Sequence, residues 1–453
     1  MDILNSIRRT AENQPASPAF CCLDSGDTLT FGELIQQAEA TAAWLQKRAC
    51  RSGERCGLIM ADGSEFLRSA LGILMAGLSV APIALPIPIK ERDRAIKAAA
   101  LHWILQSDQR LLRLPFSGPV DYQNDRDFRA CNPAYIRFTS GTTGTGKCAL
   151  LGHQAIVDRL EAANRVLQVG PDDTVWFGLS MADHFVVSIL LYLSQGAKIV
   201  TAGDPDKWPR LAGDHRPTVL YGSPDFYGSV IRSGISSLDS LRLAISTTTP
   251  LPTEIDEAFS DKFQKHINPA LGIIEVGLLT LNTRPDKAGS VGFPMPSYSI
   301  SIIGTNGEPV ATNQVGELHV SGPGLLDAYL APWRPVQRLL NKHGFATGDF
   351  ARLDNDGYLF LAGRGKNLIR IEGIQFFFEE VESVLNSLPG VEESRVFIDL
   401  KSNLLSAEIV GSLKAPEKIP ELLSGKIDQR KVPKLFIPVD FLPRTANGKL
   451  RRI

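Results

Sequence analysis

The chain is predicted to be a multidomain α/β protein, and three observations support this prediction. Its 453 residues exceed the size at which a single hydrophobic core keeps growing. In roughly the first two thirds, helical patterns alternate with short β-rich segments, which is typical of helices layered on largely parallel sheets. From about residue 290 the pattern changes to closely spaced strands with glycine turns. We therefore expect a large N-terminal domain over 1–364, with a β-rich subdomain over about 290–364, and a small, mobile α+β domain over 365–453.

The elements of the first region follow from two hydrophobic periodicities. Helices are predicted where apolar residues recur every three or four positions, and strands where short apolar runs lie between turn residues. The predicted helices cover 31–47, 64–76, 153–166 and 253–263. The predicted strands cover 56–60, 78–83, 134–138, 148–151, 198–201, 218–220 and 241–245.

The second region is predicted from its turns and its charge. Glycine turns separate four short strands at 298–303, 316–320, 349–353 and 358–361. After Lys366 the chain becomes more charged, with a predicted helix over 379–388 and strands over 393–399 and 405–411. We place the boundary of the small domain at Lys366.

Composition argues against several other classes of protein. With 48 basic and 49 acidic residues, the chain has no excess of positive charge for binding a nucleic-acid backbone. Its six cysteines include no C-x-x-C pair, which argues against zinc clusters and fits a reducing compartment. The N-terminus lacks a signal-peptide pattern, and three prolines interrupt the uncharged stretch 72–89. We expect a cytoplasmic protein without a membrane span or a nucleic-acid partner.

A loop rich in glycine and threonine predicts a phosphate-binding site. Residues 139–147 follow a predicted strand and consist of glycines, hydroxyl residues and one lysine. Glycine lets backbone N–H groups approach an anion, hydroxyls add donors, and lysine adds a charge. The candidate phosphate ligands are Thr139, Ser140, Gly141, Thr142, Thr143, Gly144 and Lys147.

The same loop also fits the spacing of a P-loop, G-x-x-x-x-G-K. A P-loop continues with a serine or threonine that binds magnesium and then opens a helix, whereas this chain continues with Cys148 and a second apolar run. A thiol is a poor ligand for a hard cation. We therefore favour strand, loop and strand, while a P-loop kinase or ATPase and a hairpin turn without a ligand stay as alternatives.

Four segments in this order resemble the adenylate-forming superfamily, which includes acyl-CoA synthetases, aryl-acid ligases and peptide-synthetase adenylation domains. They are the loop 139–147, the stretch 347–364, the stretch 369–382 and the segment 443–449. In such enzymes a carboxylate attacks the α-phosphate of ATP, pyrophosphate departs, and the acyl adenylate is passed to a thiol. The resemblance implies a small carboxylic acid as substrate and ATP with Mg²⁺ as cofactors.

The resemblance also implies roles for individual residues. Lys147 and its loop would hold the β- and γ-phosphates, and Lys449 would be the catalytic lysine that reaches the α-phosphate. Asp349 would accept hydrogen bonds from the ribose hydroxyls, with Arg364 beside it. Lys366 would be the hinge about which the small domain rotates. Outside this context, the same residues also fit ordinary turns or a solvated tail.

Two segments depart from the pattern of the family. Where its members usually have Tyr-Gly-x-Thr-Glu, this chain has Leu271-Gly272-Ile273-Ile274-Glu275. The glutamate is kept, so Glu275 is a candidate magnesium ligand, whereas the missing aromatic ring and hydroxyl predict weaker binding of adenine and phosphate. The segment 246–250, which contains Thr248, is more polar than the corresponding segment of relatives and supplies contacts beside the adenine.

The substrate acid is expected to bind near Asp183, His184, Phe185 and Tyr221. In one register Asp183 matches the aspartate that binds the ammonium group in amino-acid-activating domains, and in the other Asp183, His184 and Phe185 resemble a triplet of aryl-acid ligases. The surrounding aromatic residues favour an aryl or unsaturated acid. The acceptor thiol would belong to coenzyme A or a separate acyl carrier protein. A stand-alone amino-acid-activating domain and a noncatalytic nucleotide-binding relative remain as alternatives.

Overall fold

The computed structural model describes residues 2–115, 125–139, 147–371, 374–399, 402, 404–412, 418–444 and 450. It divides into two compact units, of which the first comprises Met1–Ser299 with Ser321–Lys342 and the second Ile300–Val320 with His343–Ile453. Both units mix helices with several sheets, so the predicted α/β fold is confirmed. The functional boundary and hinge at Lys366 stay predictions.

The helices of the described residues are numbered in chain order. They are α1 Ile3–Asn13, α2 Phe31–Lys47, α3 Ser64–Met75, α4 Ile89–Ala98, α5 Asp125–Ala130, α6 His153–Leu167, α7 Met181–His184, α8 Leu190–Gln195, α9 Trp208–Arg210, α10 Pro224–Arg232, α11 Thr253–Phe263, α12 Phe378–Asn386 and α13 Ile419–Leu423. None of these helices has the length and apolar character needed to cross a membrane. The four helices predicted for the first region all form, with bounds within about one residue of the prediction.

The strands are numbered in the same way. They are β1 Pro18–Cys22, β2 Asp27–Thr30, β3 Arg55–Ile59, β4 Ser79–Pro82, β5 Trp103–Gln106, β6 Arg110–Arg113, β7 Pro133–Thr139, β8 Lys147–Gly152, β9 Thr174–Phe177, β10 Lys198–Thr201, β11 Val219–Gly222, β12 Leu243–Ser246, β13 Asn268–Ile273, β14 Gly277–Leu281, β15 Phe293–Pro294, β16 Ser299–Ile303, β17 Gly316–Ser321, β18 Ala328–Tyr329, β19 Arg334–Pro335, β20 Leu340–Asn341, β21 Gly344–Leu353, β22 Leu359–Arg364, β23 Leu368–Ile371, β24 Ile374–Phe377, β25 Val391–Ile398, β26 Leu405–Gly411 and β27 Leu435–Pro438.

The first unit contains two large sheets. One has the strand order β15-β14-β13-β12-β11-β9-β10-β1-β2, and its strands from β13 to β1 run parallel. The other has the order β19-β18-β8-β7-β4-β3-β5-β6, in which β7, β4, β3 and β5 are parallel. Parallel strands are buried on both faces, which explains why every residue of β3, β4, β11 and β12 is buried.

The loop 139–147 joins two antiparallel strands of the second sheet. Strands β7 and β8 pair from Pro133 opposite Gly152 to Thr139 opposite Lys147. The chain thus continues after the loop as a strand, and α6 begins only at His153. This confirms the predicted order of strand, loop and strand and removes the local geometry that a P-loop requires.

The second unit is built from smaller sheets and one central helix. Strand β17 pairs with β21, and β21 with β22, while β23 and β24 form a hairpin. Strands β25, β26 and β27 form a separate sheet. The apolar face of α12, which includes Val381 and Leu385, packs with Phe376 and with buried residues of β25 and β26 in one core.

Candidate functional site

The carboxyl ends of four parallel strands place several predicted site residues along one edge of the larger sheet. Tyr221 of β11 lies between Phe177 of β9 and Ile245 of β12 in the strand register, and Ser246 lies opposite Pro269 of β13. Open α/β sheets bind ligands at this edge because the connecting loops open there. The segments that follow these strands carry Asp183 in helix α7, Thr248 in a loop and Glu275 in a turn. Asp183 and Glu275 lie far apart in the sequence.

Thr248 has an unusual backbone conformation in this group. Its φ of 81° lies in the left-handed region, which a β-branched residue rarely adopts. The preceding residue is held in place, because the N–H of Thr247 donates to the carbonyl of Gly222 at 3.0 Å. Such strain costs roughly 1–3 kcal/mol and concentrates at functional sites. The role of Thr248 beside the nucleotide stays a prediction.

Lys147 is the first residue of β8, directly after the phosphate loop, and it pairs with Thr139 of β7. It is exposed, and its ammonium nitrogen lies 4.8 Å from the centroid of the Tyr329 ring. The next residue, Cys148, is fully buried in the core, and burial raises the pKa of its thiol to about 12. A thiol in this position cannot serve as the magnesium ligand of a P-loop. The candidates Ser140, Gly141, Thr142, Thr143 and Gly144 lie outside the described residues.

Glu275 is held by a tyrosine that the sequence did not single out. The hydroxyl of Tyr329 donates to a carboxylate oxygen of Glu275 at 2.7 Å. Tyr329 belongs to β18, which pairs with β8 beside Lys147. One aromatic side chain therefore contacts both the predicted magnesium ligand and the predicted phosphate lysine. The short apolar segment around Tyr329 gave no signal of this role in the sequence.

A buried arginine fixes the backbone before Glu275. The guanidinium of Arg159, a residue of α6 that is only 2% exposed, donates to the carbonyls of Ile274 and Gly324 at 3.0 Å each. Burial lowers the pKa of Arg159 to about 10, so it stays charged near neutral pH. Gly324 has a φ of 69°, and a Cβ there would lie 2.6 Å from the Cβ of Arg159, so the contact requires glycine.

Arg159 was also missed from the sequence, although a signal was present. It lies three residues after Ile156 and one before Leu160, on the face of α6 that is buried. An arginine on the apolar face of a helix indicates an internal partner. The other two predicted residues of this region, Leu271 and Gly272, lie in the last part of β13 and are half-buried and exposed, respectively.

The candidate acid site contains a pair of stacked rings. The rings of Phe177 and Tyr221 are nearly parallel, with an interplanar angle of 7° and centroids 5.6 Å apart. The imidazole of His184 lies within hydrogen-bonding distance of the Tyr221 hydroxyl, at 3.2 Å between Nδ1 and Oη. Phe185 is fully buried and packs edge-on against Phe66. The structure thus brings His184 and Tyr221 together and places Phe185 in the core beneath them.

Asp183 forms an ion pair inside the protein. One of its carboxylate oxygens accepts a hydrogen bond from the guanidinium of Arg137, a residue of β7. Arg137 also donates to the carbonyl of Ala182 at 3.0 Å. The side chains of Arg137 and Asp183 are each 14% exposed. The negative charge that the sequence offered to a substrate ammonium group is therefore already balanced.

The second unit contains the predicted ribose residues. Asp349 of β21 and Arg364 of β22 pair across the two strands, with 2.5 Å between carboxylate oxygen and guanidinium nitrogen. Asp349 is buried, whereas about half of the Arg364 side chain is exposed. Lys366 lies in the 3₁₀ turn Gly365–Asn367 that follows. Lys449 lies outside the described residues, so its predicted role is not tested by the structure.

Comparison with known proteins is consistent with this arrangement. The phenyloxazoline synthase MbtB of Mycolicibacterium paratuberculosis is 28% identical over 98% of this chain, which spans 41% of that relative's length. The feruloyl-CoA synthase of an Amycolatopsis species is 26% identical over 94% of this chain and 93% of its own. The chain spans less than half the length of the MbtB relatives.

A solved structure and a family model agree with these relatives. The crystal structure of ATP-bound MatB from Rhodopseudomonas palustris is 25% identical and matches with a TM-score of 0.85, covering 100% of this chain and 97% of that one. The family model described as AMP-binding enzyme matches residues 7–330. This confirms, at the level of the family, the resemblance on which the sequence interpretation depends. The chain belongs to the AMP-binding enzyme family.

Proposed function

We propose that the chain is an AMP-forming acid–thiol ligase. The observation that supports this most directly is the Lys147–Tyr329–Glu275 group, in which Tyr329 contacts both the lysine at the end of the phosphate loop and a carboxylate in the turn between β13 and β14 of the other large sheet. Membership of the AMP-binding family and the likeness to an ATP-bound structure favour ATP as the nucleotide. A kinase or ATPase of the P-loop type is not favoured, because a strand follows the loop.

In this proposal the reaction has two steps. An oxygen of the substrate carboxylate bonds to the α-phosphorus of ATP, the bond to the bridging oxygen breaks, and pyrophosphate leaves. A thiolate then bonds to the acyl carbon, and AMP leaves. Lys449 stabilises the charge that develops at the α-phosphate, and Lys147 holds the β- and γ-phosphates. Residues 365–453 form the small domain, which rotates about Lys366 between the steps.

The nucleotide contacts complete this proposal. Asp349 accepts hydrogen bonds from the ribose hydroxyls, with Arg364 beside it, and the strained Thr248 lies next to the adenine. Leu271 and Gly272 lie beside the adenine ring, at the place where other members of the family have an aromatic side chain. The buried position of Asp349 and its pairing with Arg364 support a fixed carboxylate for this role.

The residues present fit a magnesium ion that is shared with the substrate. Within the described residues, the chain offers no group of three or more His, Cys, Asp or Glu side chains that could hold a metal. Glu275 supplies one oriented carboxylate, and Mg²⁺ commonly binds through one or two carboxylates together with substrate phosphates. The ion would neutralise the charge of the phosphates. Tyr329 orients Glu275 for this contact.

The proposed substrate is an aryl or unsaturated acid. The stacked rings of Phe177 and Tyr221 are buried, at 2% and 4% exposed, so the protein directly beneath the proposed site is aromatic, and His184 adds one polar group beside it. The feruloyl-CoA synthase among the relatives is named for an aryl acid. The acceptor is the thiol of coenzyme A or of a separate acyl carrier protein. An amino acid as substrate is the second candidate, and it depends on Asp183.

An exchange assay tests the reaction class. We expect ATP to incorporate labelled pyrophosphate in the presence of a suitable acid, because the adenylation step is reversible. The panel contains aryl, unsaturated, fatty and amino acids, each with ATP and Mg²⁺. Formation of ADP and phosphate instead of AMP and pyrophosphate would support the kinase alternative. Binding of ATP without exchange for any acid would support a noncatalytic relative.

The Tyr329→Phe variant tests the Lys147–Tyr329–Glu275 group. Loss of a hydrogen bond to a charged group costs about 1.5–3 kcal/mol, so we expect the exchange rate to fall by roughly tenfold to a hundredfold. Because Glu275 is no longer oriented, half-maximal activity should require a higher Mg²⁺ concentration. The matched variant is Tyr227→Phe, because the hydroxyl of Tyr227 donates to the backbone carbonyls of Leu220 and Ile245. It should lower stability and leave the Mg²⁺ dependence unchanged; the same dependence in both variants would contradict the role of Tyr329.

A further inference from the structure

The ion pair of Arg137 and Asp183 joins the strand before the phosphate loop to the helix that carries the acid-site residues. The two residues are 46 positions apart in the chain and meet through Nη2 and a carboxylate oxygen. A second contact, from Nη1 of Arg137 to the carbonyl of Ala182, holds the guanidinium on the turn of α7. With two anchoring points, the guanidinium is fixed rather than free to swing into solvent.

Arg137 reaches this position because of the alternation of side chains along β7. Tyr135 and Arg137 belong to the same face of the strand, since successive residues alternate between faces. Tyr135 is fully buried, and the strand ends at Thr139 where the loop begins. Arg137 is therefore the one charged residue on a strand that is otherwise apolar or hydroxylic. A charge at such a position requires a partner, which is Asp183.

The charges around this pair come from three elements. Arg137 belongs to β7 and Asp183 to α7, and Asp62 precedes α3. The carboxylate of Asp62 accepts a hydrogen bond from the N–H of Met181 at 3.0 Å, at the start of α7. Asp62 is thus engaged by the backbone, whereas Asp183 is engaged by a side-chain cation. The carboxylate of Asp183 has its counterion within the protein.

The pair lies beside the proposed acid site. Asp183 is followed by His184, whose imidazole contacts the hydroxyl of Tyr221 in the stacked pair with Phe177. An acid bound at this site would lie close to Arg137 and Asp183, because Asp183 precedes His184 directly in the chain and pairs with Arg137. Because the charges of Arg137 and Asp183 cancel, the pair attracts neither an ammonium group nor a second carboxylate of the substrate.

We propose that Arg137 is a specificity-determining residue that occupies, with its guanidinium, the place on Asp183 where a substrate ammonium group would bind. The inference rests on the proposed function and narrows it: the acid has neither an amino group nor a second carboxylate on the carbon next to its reacting carboxylate. The amino-acid alternative is therefore disfavoured. The same argument predicts that either partner of the pair, once uncovered, selects a ligand of opposite charge.

Partial burial makes this selection strong. Removing one partner of a buried ion pair leaves an uncompensated charge, which is strongly destabilising. A ligand that supplies the missing charge restores the balance, so the variant should bind that ligand more tightly than the original protein does. Removal of Arg137 should therefore favour a positively charged ligand group, and removal of the charge of Asp183 should favour a negatively charged one.

The experiment uses three acids that differ at one position. They are 3-phenylpropanoate, L-phenylalanine and benzylmalonate, which carry hydrogen, ammonium and carboxylate on the carbon next to the reacting carboxylate. Each is tested with the full chain and with Arg137→Met, Asp183→Asn and the double variant. The readouts are the pyrophosphate-exchange rate and the rise in melting temperature that each acid produces in the presence of ATP and Mg²⁺. Arg137→Lys, which keeps the cation, is the matched control.

The expected result is a crossing of preferences, by which we mean that the two single variants shift in opposite directions, each toward a different acid. The unaltered chain, Arg137→Lys and the double variant should prefer 3-phenylpropanoate. Arg137→Met should shift toward phenylalanine, and Asp183→Asn toward benzylmalonate, each by at least about tenfold, which corresponds to about 1.4 kcal/mol. Preference of the unaltered chain for phenylalanine, or the absence of the crossing in both readouts, would overturn the proposal.

The two readouts separate this inference from the proposed function. Exchange without a crossing of preferences would retain the ligase and reject the role of Arg137. A crossing in melting temperature without exchange for any acid would retain the charge-selective site and reject the ligase. Because the melting temperature is measured without ligand as well, a variant that fails to fold is recognised directly. In that case, the Arg137→Gln variant, whose neutral amide can still donate a hydrogen bond to Asp183, carries the same test.

Discussion

The Lys449→Ala variant is expected to lose about 10²–10³-fold of the adenylation rate, as measured by pyrophosphate exchange. In the proposed reaction, the ammonium group of Lys449 contacts oxygens whose negative charge grows in the transition state, so its removal lowers the rate more than it weakens binding of ATP. The KM for ATP should therefore change far less than kcat. Lys449→Arg keeps the charge with a different geometry and should recover only part of the rate.

A second measurement separates a chemical role from a structural one. If Lys449 acts in adenylation alone, transfer from a synthetic acyl adenylate to the thiol should keep its rate within about tenfold of the unaltered chain. Lys434→Ala is the matched control, because Lys434 is an exposed lysine of the same unit. It should leave both steps unchanged. Equal rates of exchange in Lys449→Ala and in the unaltered chain would remove Lys449 from the chemistry.

The sequence predicted the elements of the fold well because they depend on local pattern. Helix α11 covers 253–263 as predicted, and its apolar residues Phe259 and Phe263 are buried at helical spacing. The strand predicted over 78–83 forms as β4, whose residues are all buried. The glycine-rich segment 139–147 was correctly placed between two strands, because a second apolar run follows it directly. Sequence could not predict the strand order of the two large sheets, since long-range pairing leaves no local signature.

The candidate site was predicted in part, for a related reason. Motif residues such as Glu275 and Asp349 carry recognisable neighbours in the sequence, whereas the residues that hold them do not. Tyr329 and Arg137 act on groups that are 54 and 46 positions away, so their roles depend on tertiary contacts alone. Arg159 is different, because its place on the buried face of α6 follows from the periodicity of the helix. Charged residues on apolar faces and strands are thus the sequence signal that deserves a search for internal partners.

The Arg159→Met variant is expected to have the largest effect on stability. Methionine fills most of the volume but leaves the buried carbonyl of Gly324 and the carbonyl of Ile274 without their guanidinium donor. A buried hydrogen-bond acceptor left without a donor costs about 1–3 kcal/mol, so the loss of the donor to both carbonyls is a large share of the stability of a domain. Urea unfolding followed by circular dichroism measures this loss. The backbone before Glu275 is released as well, so we expect adenylation to require more Mg²⁺.

The neighbouring Arg165 provides the control for this variant. It belongs to the same helix and has the same side chain, but it is exposed, and its guanidinium reaches only the hydroxyl of Ser297 at 3.4 Å. Arg165→Met should change the free energy of unfolding by no more than about 0.5 kcal/mol. Arg159→Lys keeps the charge but cannot donate to both carbonyls in a fixed fork, so it should lie between the two. If Arg159→Met and Arg165→Met unfolded at the same urea concentration, Arg159 would not be the residue that stabilises the loop before Glu275.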